Sequence, residues 1–221
     1  MKLAIFDLDN TLLGGDSDHA WGEFLIKAGL VEPIQHRNRN DEFYQQYLYG
    51  GLDIHDYVAF TINPIKTLNA QERNRLHAEF MQEFVQPMLL PAATALLQTH
   101  REQGHHTLII TATNEFITAP IARILGADTL LATELEMADG VYTGRIRGVP
   151  SFREGKVTRL QQWLSSVPTA KALSLDDSIF YSDSINDLPL LQAAAEAVAV
   201  DPDPRLAACA RENGWPIISL R

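Results

Sequence analysis

Cysteine, long apolar runs and positive charge are all scarce in this sequence. The 221 residues include one cysteine, Cys209, so no disulfide can form within the chain, which fits a reducing compartment. No apolar run approaches the roughly 20 residues that a membrane-spanning helix needs. Met1-Lys2-Leu3 leads directly into a strand, without the apolar core and cleavage site of a signal peptide. We therefore expect a cytoplasmic protein without a membrane partner.

The shortage of positive charge restricts the class of partner. The chain has 18 lysines and arginines against 28 aspartates and glutamates, for a formal net charge of −10. Nucleic acids and anionic membranes attract basic surfaces, so neither is expected as the main partner. A small phosphorylated molecule remains compatible with this charge, because donors and a metal ion can dominate one local site.

The hydrophobic pattern alternates between strands and helices over most of the chain. Strands are predicted at 3–6, 106–111, 129–133, 179–182, 197–200 and 216–220. Helices are predicted between them at 91–103, 114–125, 153–165, 188–195 and 204–213, and a small hairpin turns at Asp139-Gly140. This order predicts an α/β fold with a mostly parallel, Rossmann-like sheet and helices on both faces. Ligands bind beyond the carboxyl ends of the strands in such sheets.

A purely helical block separates the first strand from the next strand. Its helices are predicted near 18–29, 40–49, 53–62 and 69–86. We interpret residues 15–86 as an inserted helical cap, and residues 1–14 with 87–221 as the core domain. One domain with an insertion is consistent with a chain of this length.

Two aspartates follow the opening strand, Asp7 and Asp9. Alternation along an extended chain places them on the same side of the strand end, where their charges repel. A divalent cation such as Mg²⁺ would convert that repulsion into coordination. The alternative is an ordinary turn, since aspartate and asparagine favour turns.

Three later stretches contain further candidate residues. Thr111, at a strand end before a helix, is either an N-capping residue or part of an anion site. Lys156, in the loop or first turn before another helix, is by itself an ordinary surface lysine. Asp183 and Asp187 follow another strand, and they are either a helix cap with a first-turn carboxylate or metal ligands that face Asp7.

The order of these motifs resembles that of the haloacid dehalogenase-like (HAD) phosphohydrolases. The pattern is Asp-x-Asp-x-Thr at Asp7, a threonine at a later strand end, a lysine before a helix, and Asp-x-x-x-Asp at Asp183. The helical block is similar to the C1-type cap of that superfamily. Within it, the chain resembles the phosphoserine-phosphatase-like subfamily IB, and Phe6 to Trp21 looks most like bacterial histidinol-phosphate phosphatases of that branch.

The resemblance implies a Mg²⁺-dependent phosphomonoesterase with an aspartyl-phosphate intermediate. Asp7 would be the nucleophile, and Asp9 the general acid and base. Mg²⁺ would be held by Asp7, the main-chain carbonyl of Asp9 and Asp183, with Asp187 behind the metal. Phosphate contacts would come from Thr111, Ala112 and Lys156. The partner would be a small phosphate ester, and the protein a monomer or homodimer.

The best prediction for the substrate is L-histidinol phosphate. Asp16 falls where the phosphoserine phosphatases carry an acidic residue that meets the substrate amine, and Asp18 adds negative charge, so a cationic leaving group is favoured. The bulky Ala112-Thr113-Asn114 run argues against phosphoserine itself. Four aromatic residues either stack on an imidazole or pack the cap helices: Trp21, Phe43, Tyr44 and Tyr47. Trp21, Asn114 and Asn186 are further candidate substrate contacts.

Other functions stay open at this point. The chain could be a phosphoserine phosphatase, or a phosphohomoserine/phosphoserine phosphotransferase that passes the phosphoryl group to an alcohol instead of water. A carbon–halogen hydrolase is disfavoured, because it needs neither a proton donor at Asp9 nor the metal carboxylates. A non-catalytic metal or phosphometabolite binding module is disfavoured by the complete motif set. Ser182 departs from the glycine usual in this family and is expected to shift the turn before Asp183.

Overall fold

A twisted parallel sheet forms the centre of the molecule. The computed structural model describes residues 2–221, apart from the side chain of Thr169. Within that range the sheet has six strands in the order β3-β2-β1-β6-β7-β8, and all its pairings are parallel. The strands are β1 (Leu3–Phe6), β2 (His106–Asn114), β3 (Thr129–Thr133), β6 (Ser178–Ser182), β7 (Glu196–Val200) and β8 (Ile217–Ile218). A separate hairpin contains β4 (Leu135–Ala138) and β5 (Val141–Ile146).

The helices begin and end at residues with clear local signals. Asp16 caps the first helix, and Pro33 and Pro91 each occupy the first turn of a helix, where a missing N–H is tolerated. Gly50 and Gly126 end two helices in the left-handed conformation. The helices are α1 (Ser17–Lys27), α2 (Pro33–Tyr49), α3 (Ile54–Ile62), α4 (Ala70–Phe80), α5 (Pro91–Glu102), α6 (Glu115–Leu125), α7 (Glu154–Ser166), α8 (Leu188–Ala193) and α9 (Pro204–Asn213).

Strand alternation divides the hydrophobic core into two clusters, one on each face of the sheet. Ala4 and Phe6 of β1 face the cluster that contains side chains of α1, α5 and α6. Leu3 and Ile5 face the cluster that contains side chains of α7, α8 and α9. The predicted α/β fold with helices on both faces is therefore confirmed.

The helical block between β1 and α5 shares its core with one face of the sheet. Trp21 is fully buried, and its indole packs against Phe24, Phe80 and Phe116 at ring-centroid distances of 5.1–5.4 Å. Phe116 belongs to α6, so this aromatic cluster joins the insertion to a helix that packs on the sheet. The division into a 15–86 cap and a two-part core stays a prediction, because the packing is continuous across it.

The β4–β5 hairpin packs against this helical block. The Arg73 Nη2 atom donates a hydrogen bond to the carbonyl of Gly140 at 3.3 Å, and the guanidinium lies over the ring of Tyr142, 4.8 Å from its centroid. Asp139 and Gly140 both have positive φ, as a two-residue hairpin turn requires, which confirms the predicted hairpin.

Four predicted boundaries were wrong. α2 begins at Pro33 rather than near 40, because the Glu32 carboxylate accepts hydrogen bonds from the first free N–H groups. β2 continues past Thr111 to Asn114 through a register shift. The helix predicted at 69–86 ends at Phe80, and a π turn and a 3-10 turn follow it before Leu89. β8 has two residues instead of five.

Within residues 2–221, no helix combines the length and the apolar character needed to cross a membrane.

A buried histidine should make the stability of this fold sensitive to acid. His100 Nε2 lies 2.9 Å from the Tyr181 hydroxyl, and its Nδ1 lies 2.8 Å from His105 Nδ1. Burial, with His105 and Lys2 nearby, lowers the pKa of His100 to about 4. The unfolded chain takes up this proton near pH 6.5 and the folded chain only near pH 4, so stability is lost as pH falls through that window.

We expect this linkage to remove about 1–2 kcal/mol of unfolding free energy between about pH 7 and about pH 4.5, allowing for partial solvent screening. Urea unfolding of the parent and of His100→Gln at both pH values measures it. The exposed His55, as His55→Gln, is the matched control. An unchanged pH dependence in His100→Gln would contradict the assignment.

Candidate active site

The sequence-predicted motifs meet at the carboxyl edge of three neighbouring strands. Asp7 follows β1, Asp183 follows β6, and Thr111 lies in β2 beyond its last paired residue with β1. Lys156 reaches the same point from the first turn of α7. Parallel strands bring their carboxyl ends to one edge, and this edge is where the fold places ligand sites.

Lys156 is the central cation of the site. Its side chain is 2% exposed, and Nζ lies 2.8 Å from Asp7 Oδ1 and 2.7 Å from Asp187. Burial alone would lower the pKa of Lys156, but the charges of Asp187 and Asp7 raise it above its usual value. Burial also raises the pKa of Asp7 to about 7, against the opposing effect of Lys156. The Lys156 ammonium is therefore charged, enclosed and paired with two carboxylates, so it is not a surface lysine.

The main chain before Lys156 has room only for glycine at position 155. A Cβ atom on Gly155 would lie 2.0 Å from the main-chain carbonyl oxygen of Pro150. Backbone atoms cannot move aside as a flexible side chain can, so the start of α7 would have to shift. Gly155 thus allows the close approach that carries the Lys156 ammonium to Asp7.

We expect Gly155→Ala to lower turnover by about 10²-fold, because a shift of about 1 Å in a positioned group has this effect. Circular dichroism and steady-state kinetics on the variant measure it. Gly148→Ala, where a Cβ would meet no atom within 4 Å although φ is +73°, separates local main-chain strain from displacement of Lys156. Equal kinetics for the two variants would argue against the positioning role.

Asp9 is held by two donors on separate segments. Its Oδ1 accepts a hydrogen bond from the Ser17 main-chain N–H at 2.7 Å, and its Oδ2 accepts one from the Thr113 hydroxyl at 2.8 Å. Burial, with the negative charge of Asp16 close by, raises the pKa of Asp9 to about 6. A carboxyl group with a pKa in this range can both give and take a proton near neutral pH.

Thr11 and Ser182 order the two remaining carboxylates. The Thr11 hydroxyl donates to Asp183 Oδ1 at 3.1 Å and accepts from the Asp183 N–H at 3.0 Å. The Ser182 hydroxyl donates to Asp187 Oδ2 at 2.7 Å and accepts from the Ser184 N–H. Ser182 was expected to shift this turn, whereas its hydroxyl holds Asp187 toward Lys156.

The site contains more buried carboxyl groups than basic side chains, and this excess favours a bound cation. Asp7 and Asp187 both pair with one ammonium group, that of Lys156, and Asp183 lies close enough for the charges of Asp7 and Asp187 to affect it. Burial and the charges of Asp7 and Asp187 raise the pKa of Asp183 well above its usual range. No three His, Cys, Asp or Glu side chains in residues 2–221 form a ready-made metal cluster. A bound metal would therefore combine the few side-chain oxygens with main-chain or substrate oxygens, which a hard cation accepts.

A pocket opens directly above these groups. Its floor consists of the turn after β1 and the end of β2, with Asp7, Asp9, Asp16, Asp18 and residues 111–113. Its wall comes from α2, α3 and the loop between them, with Phe43, Tyr44, Tyr47, Leu52, Ile54 and Tyr57. The pocket is thus acidic at its base and largely aromatic on the side of the helical insertion.

Three of the predicted substrate contacts have other roles in the structure. Trp21 is buried in the aromatic cluster, and its Nε1 donates to the Thr61 carbonyl at 3.2 Å. The Asn114 side chain caps α6 through the Ile117 N–H. The Asn186 Nδ2 atom donates to the Tyr47 carbonyl at 2.9 Å. None of the three is among the residues that line this pocket.

Two polar contacts fasten the end of α2 to the sheet domain. One is the hydrogen bond from Asn186 to the Tyr47 carbonyl, and the other runs from the Arg153 guanidinium to the Gly50 carbonyl. Arg153 has φ of +51°, and its guanidinium lies over Phe152. We call these two hydrogen bonds the α2 latch. They keep the aromatic wall over Asp7.

Sequence reasoning missed the pocket role of Tyr57 and the contact of Thr113 with Asp9. Tyr57 lies on α3, which contains no recognisable motif, so only the tertiary fold reveals its role. Thr113 was noted only as a bulky neighbour of Thr111, although its spacing of two residues along a strand was a signal for the same face.

The fold and the site define an α/β enzyme with an acidic centre at the carboxyl edge of its sheet. A model of the haloacid dehalogenase-like hydrolase family matches residues 4–192. Over 221 residues the chain is 44% identical to a histidinol-phosphatase of Neisseria meningitidis serogroup C, covering 100% of this chain and 99% of that protein. It is 32% identical to a phosphoserine phosphatase of Mycobacterium tuberculosis, covering 99% of this chain and 70% of that one.

Solved structures of other proteins share this fold. A Bordetella pertussis protein of unknown function superposes with a TM-score of 0.91 at 43% identity, over 99% of this chain and 98% of that one. A substrate-bound phosphoserine phosphatase superposes with a TM-score of 0.71 over 100% and 93%, and its 16% identity supports likeness of fold alone. The chain belongs to the haloacid dehalogenase-like hydrolase family. The predicted family and the predicted phosphatase class are both confirmed.

Proposed function

We propose that this protein is a Mg²⁺-dependent phosphomonoesterase that hydrolyses L-histidinol phosphate. The main support is the buried ion pair between Asp7 and Lys156. Asp7 and Asp9 lie together at the base of a pocket lined by acidic and aromatic side chains. The full-length similarity to a histidinol-phosphatase supports the choice of substrate. Residues 1–14 with 87–221 would act as the core and residues 15–86 as the cap, in a cytoplasmic setting.

Asp7 acts as the nucleophile in this proposal. Its carboxylate oxygen attacks phosphorus, the bond from phosphorus to the alcohol oxygen breaks, and an aspartyl-phosphate forms. Lys156 holds Asp7 in position and stabilises negative charge on the phosphoryl oxygens. The Thr111 oxygen accepts the Thr113 N–H at 3.2 Å, which leaves the Thr111 proton for a phosphoryl oxygen, beside the main-chain N–H of Ala112.

Asp9 moves the protons. It gives a proton to the leaving alcohol oxygen and then takes one from the water that attacks the aspartyl-phosphate, which regenerates Asp7. The donors Ser17 and Thr113 fix the direction of its carboxyl group, and its pKa of about 6 suits both halves of the cycle.

Mg²⁺ would be held by Asp7, the main-chain carbonyl of Asp9 and Asp183, with Asp187 behind them. It would neutralise the charge of the phosphate dianion beside the aspartates. Thr11 and Ser182 orient the carboxylates for this purpose through the hydrogen bonds described above.

The lining of the pocket favours an amino alcohol phosphate over phosphoserine. A substrate carboxylate would require a basic partner, and no Lys, Arg or His is among the residues that line the pocket. Arg37 is paired with Glu23, and Arg39 is paired with Glu42. Phosphoserine phosphatase activity is the second candidate, supported by the similarity to a phosphoserine phosphatase of Mycobacterium tuberculosis.

Phosphate release from a substrate panel tests the proposal. The panel contains L-histidinol phosphate, L-phosphoserine, phosphohomoserine and sugar phosphates, each with Mg²⁺ and with EDTA, and identically purified Asp7→Asn protein controls for contaminating phosphatases. EDTA-sensitive release that is fastest from L-histidinol phosphate supports it. Fastest release from phosphoserine overturns the substrate choice, and transfer of phosphate to an added alcohol identifies a phosphotransferase.

A further inference from the structure

One carboxylate oxygen in the pocket has no hydrogen-bond partner. Asp18, in the first turn of α1, is 6% exposed, and its Oδ1 atom forms no hydrogen bond with any residue of the described chain. A buried carboxylate oxygen without a donor costs free energy, so such a group is expected to meet a ligand. Because Asp18 lines the pocket, that ligand would come from the substrate side.

The neighbouring aspartate uses one of its oxygens to cap a helix. Asp16 Oδ1 accepts hydrogen bonds from the main-chain N–H groups of Asp18 at 2.9 Å and His19 at 2.8 Å, as the N-cap of α1. Asp16 is the position that the family resemblance assigned to the substrate amine. Asp16 thus has one oxygen committed to the helix start, whereas Asp18 Oδ1 is buried and receives no donor from the described chain.

The surroundings of Asp18 select a cation with apolar bulk next to it. The Phe43 and Tyr57 rings are adjacent, with centroids 5.1 Å apart, and both line the pocket. Burial, and then the charges of Asp18, Asp16 and Asp9, raise the pKa of the Tyr57 phenol well above its usual range, which places the phenol close to these carboxylates. Aromatic faces and carboxylates both attract an organic ammonium group.

We propose that Asp18 binds the ammonium group of the leaving alcohol and thereby makes the enzyme select phosphomonoesters of amino alcohols over their neutral counterparts. This inference rests on the proposed function, whose substrate class it sharpens. In this proposal Asp18, and not Asp16, recognises the ammonium group. That group is on the carbon next to the one that bears the phosphate. The Phe43 and Tyr57 rings would pack against the apolar part of the same alcohol.

A matched pair of substrates measures this discrimination directly. One is L-histidinol phosphate, and the other is 3-(imidazol-4-yl)propyl phosphate, which has hydrogen in place of the ammonium group. In the parent enzyme we expect kcat/KM to favour the first by about 10²-fold or more, since a site built for a polar group rejects the analogue that lacks it. In Asp18→Asn we expect that ratio to fall to within about 3-fold of one, chiefly through the amine-bearing substrate.

Asp16→Asn is the matched control, since asparagine is an equally good N-cap and its carbonyl can accept the same two hydrogen bonds. We expect Asp16→Asn to change kcat/KM for both substrates by the same factor, so that the ratio between the two substrates stays as in the parent enzyme. A ratio that collapses in Asp16→Asn but survives in Asp18→Asn overturns the assignment. So does an Asp18→Asn variant in which both substrates lose activity equally, because that loss is structural.

Calorimetric binding of the alcohol L-histidinol separates this inference from the proposed function. Binding that is lost in Asp18→Asn and kept in Asp16→Asn supports the inference even if the parent releases no phosphate from L-histidinol phosphate, in which case the proposed function alone fails. Phosphate release together with equal L-histidinol binding by the parent and Asp18→Asn overturns the inference alone.

Discussion

Asp7→Asn should abolish phosphate release while leaving the protein folded. An amide oxygen is a poor nucleophile, and removing an enzyme's nucleophile lowers kcat by about 10⁴-fold or more. The change retains the size of the side chain, and Lys156 keeps its partner Asp187 at 2.7 Å. Stability should therefore change little, because burial already disfavours the charge on Asp7. Steady-state phosphate release and thermal unfolding measure the two effects.

The exposed Asp176 provides the matched control, as Asp176→Asn. In the parent enzyme, rapid acid quench during turnover should leave one phosphoryl group on the peptide that contains Asp7, detectable by mass spectrometry. The same peptide from Asp7→Asn should carry none. Turnover retained by Asp7→Asn, or phosphoryl label on a different peptide, would refute the covalent mechanism.

Lys156→Met should damage both activity and stability. Methionine fills similar space but leaves Asp7 and Asp187 buried without their cation, and breaking such an ion pair from one side costs about 3–5 kcal/mol. Turnover should fall by about 10²- to 10³-fold, because a positioned electrostatic partner of the transition state is lost. Urea unfolding and phosphate release measure the two losses.

A double variant separates these two roles. Lys156→Met with Asp187→Asn removes one of the orphaned charges, so it should recover part of the stability and none of the activity. Lys171→Met, at an exposed lysine, should change neither property. If Lys156→Met unfolds at the same urea concentration as the parent, the ion pair does not support the fold.

Local chemistry made much of this fold predictable. The parallel alternation, the Asp139-Gly140 hairpin and the helix start at Pro91 follow from short-range rules that the structure obeys. The wrong boundaries occur where an uncommon residue or backbone conformation begins or ends a helix. Glutamate is an infrequent N-cap, so the first turns of α2 were missed, and the π turn after Phe80 has no simple sequence pattern.

The site was predictable as a set of residues but not as a network. The order of the motifs around Asp7, Asp183 and Lys156 resembles that of the family, the resemblance implies shared chemistry, and the structure brings these residues to one edge of the sheet. Which donor each carboxylate receives depends on contacts between distant segments, such as Thr113 with Asp9 across 104 positions. Spacing along a strand can indicate which face Thr113 occupies, but a single sequence does not show which distant segment that face meets.

The α2 latch has a consequence for how this enzyme can diversify. Both of its hydrogen bonds end on main-chain carbonyls, those of Tyr47 and Gly50, so any side chain at 47 leaves the acceptor in place. Phe43, Tyr44 and Tyr47 present their rings to the pocket from the same helix. Substitutions of these aromatic residues can therefore change which alcohol is accepted without breaking the two hydrogen bonds of the α2 latch. The side chains that contact substrate and the main-chain atoms that anchor α2 are therefore separate, so the first can change while the second stay the same.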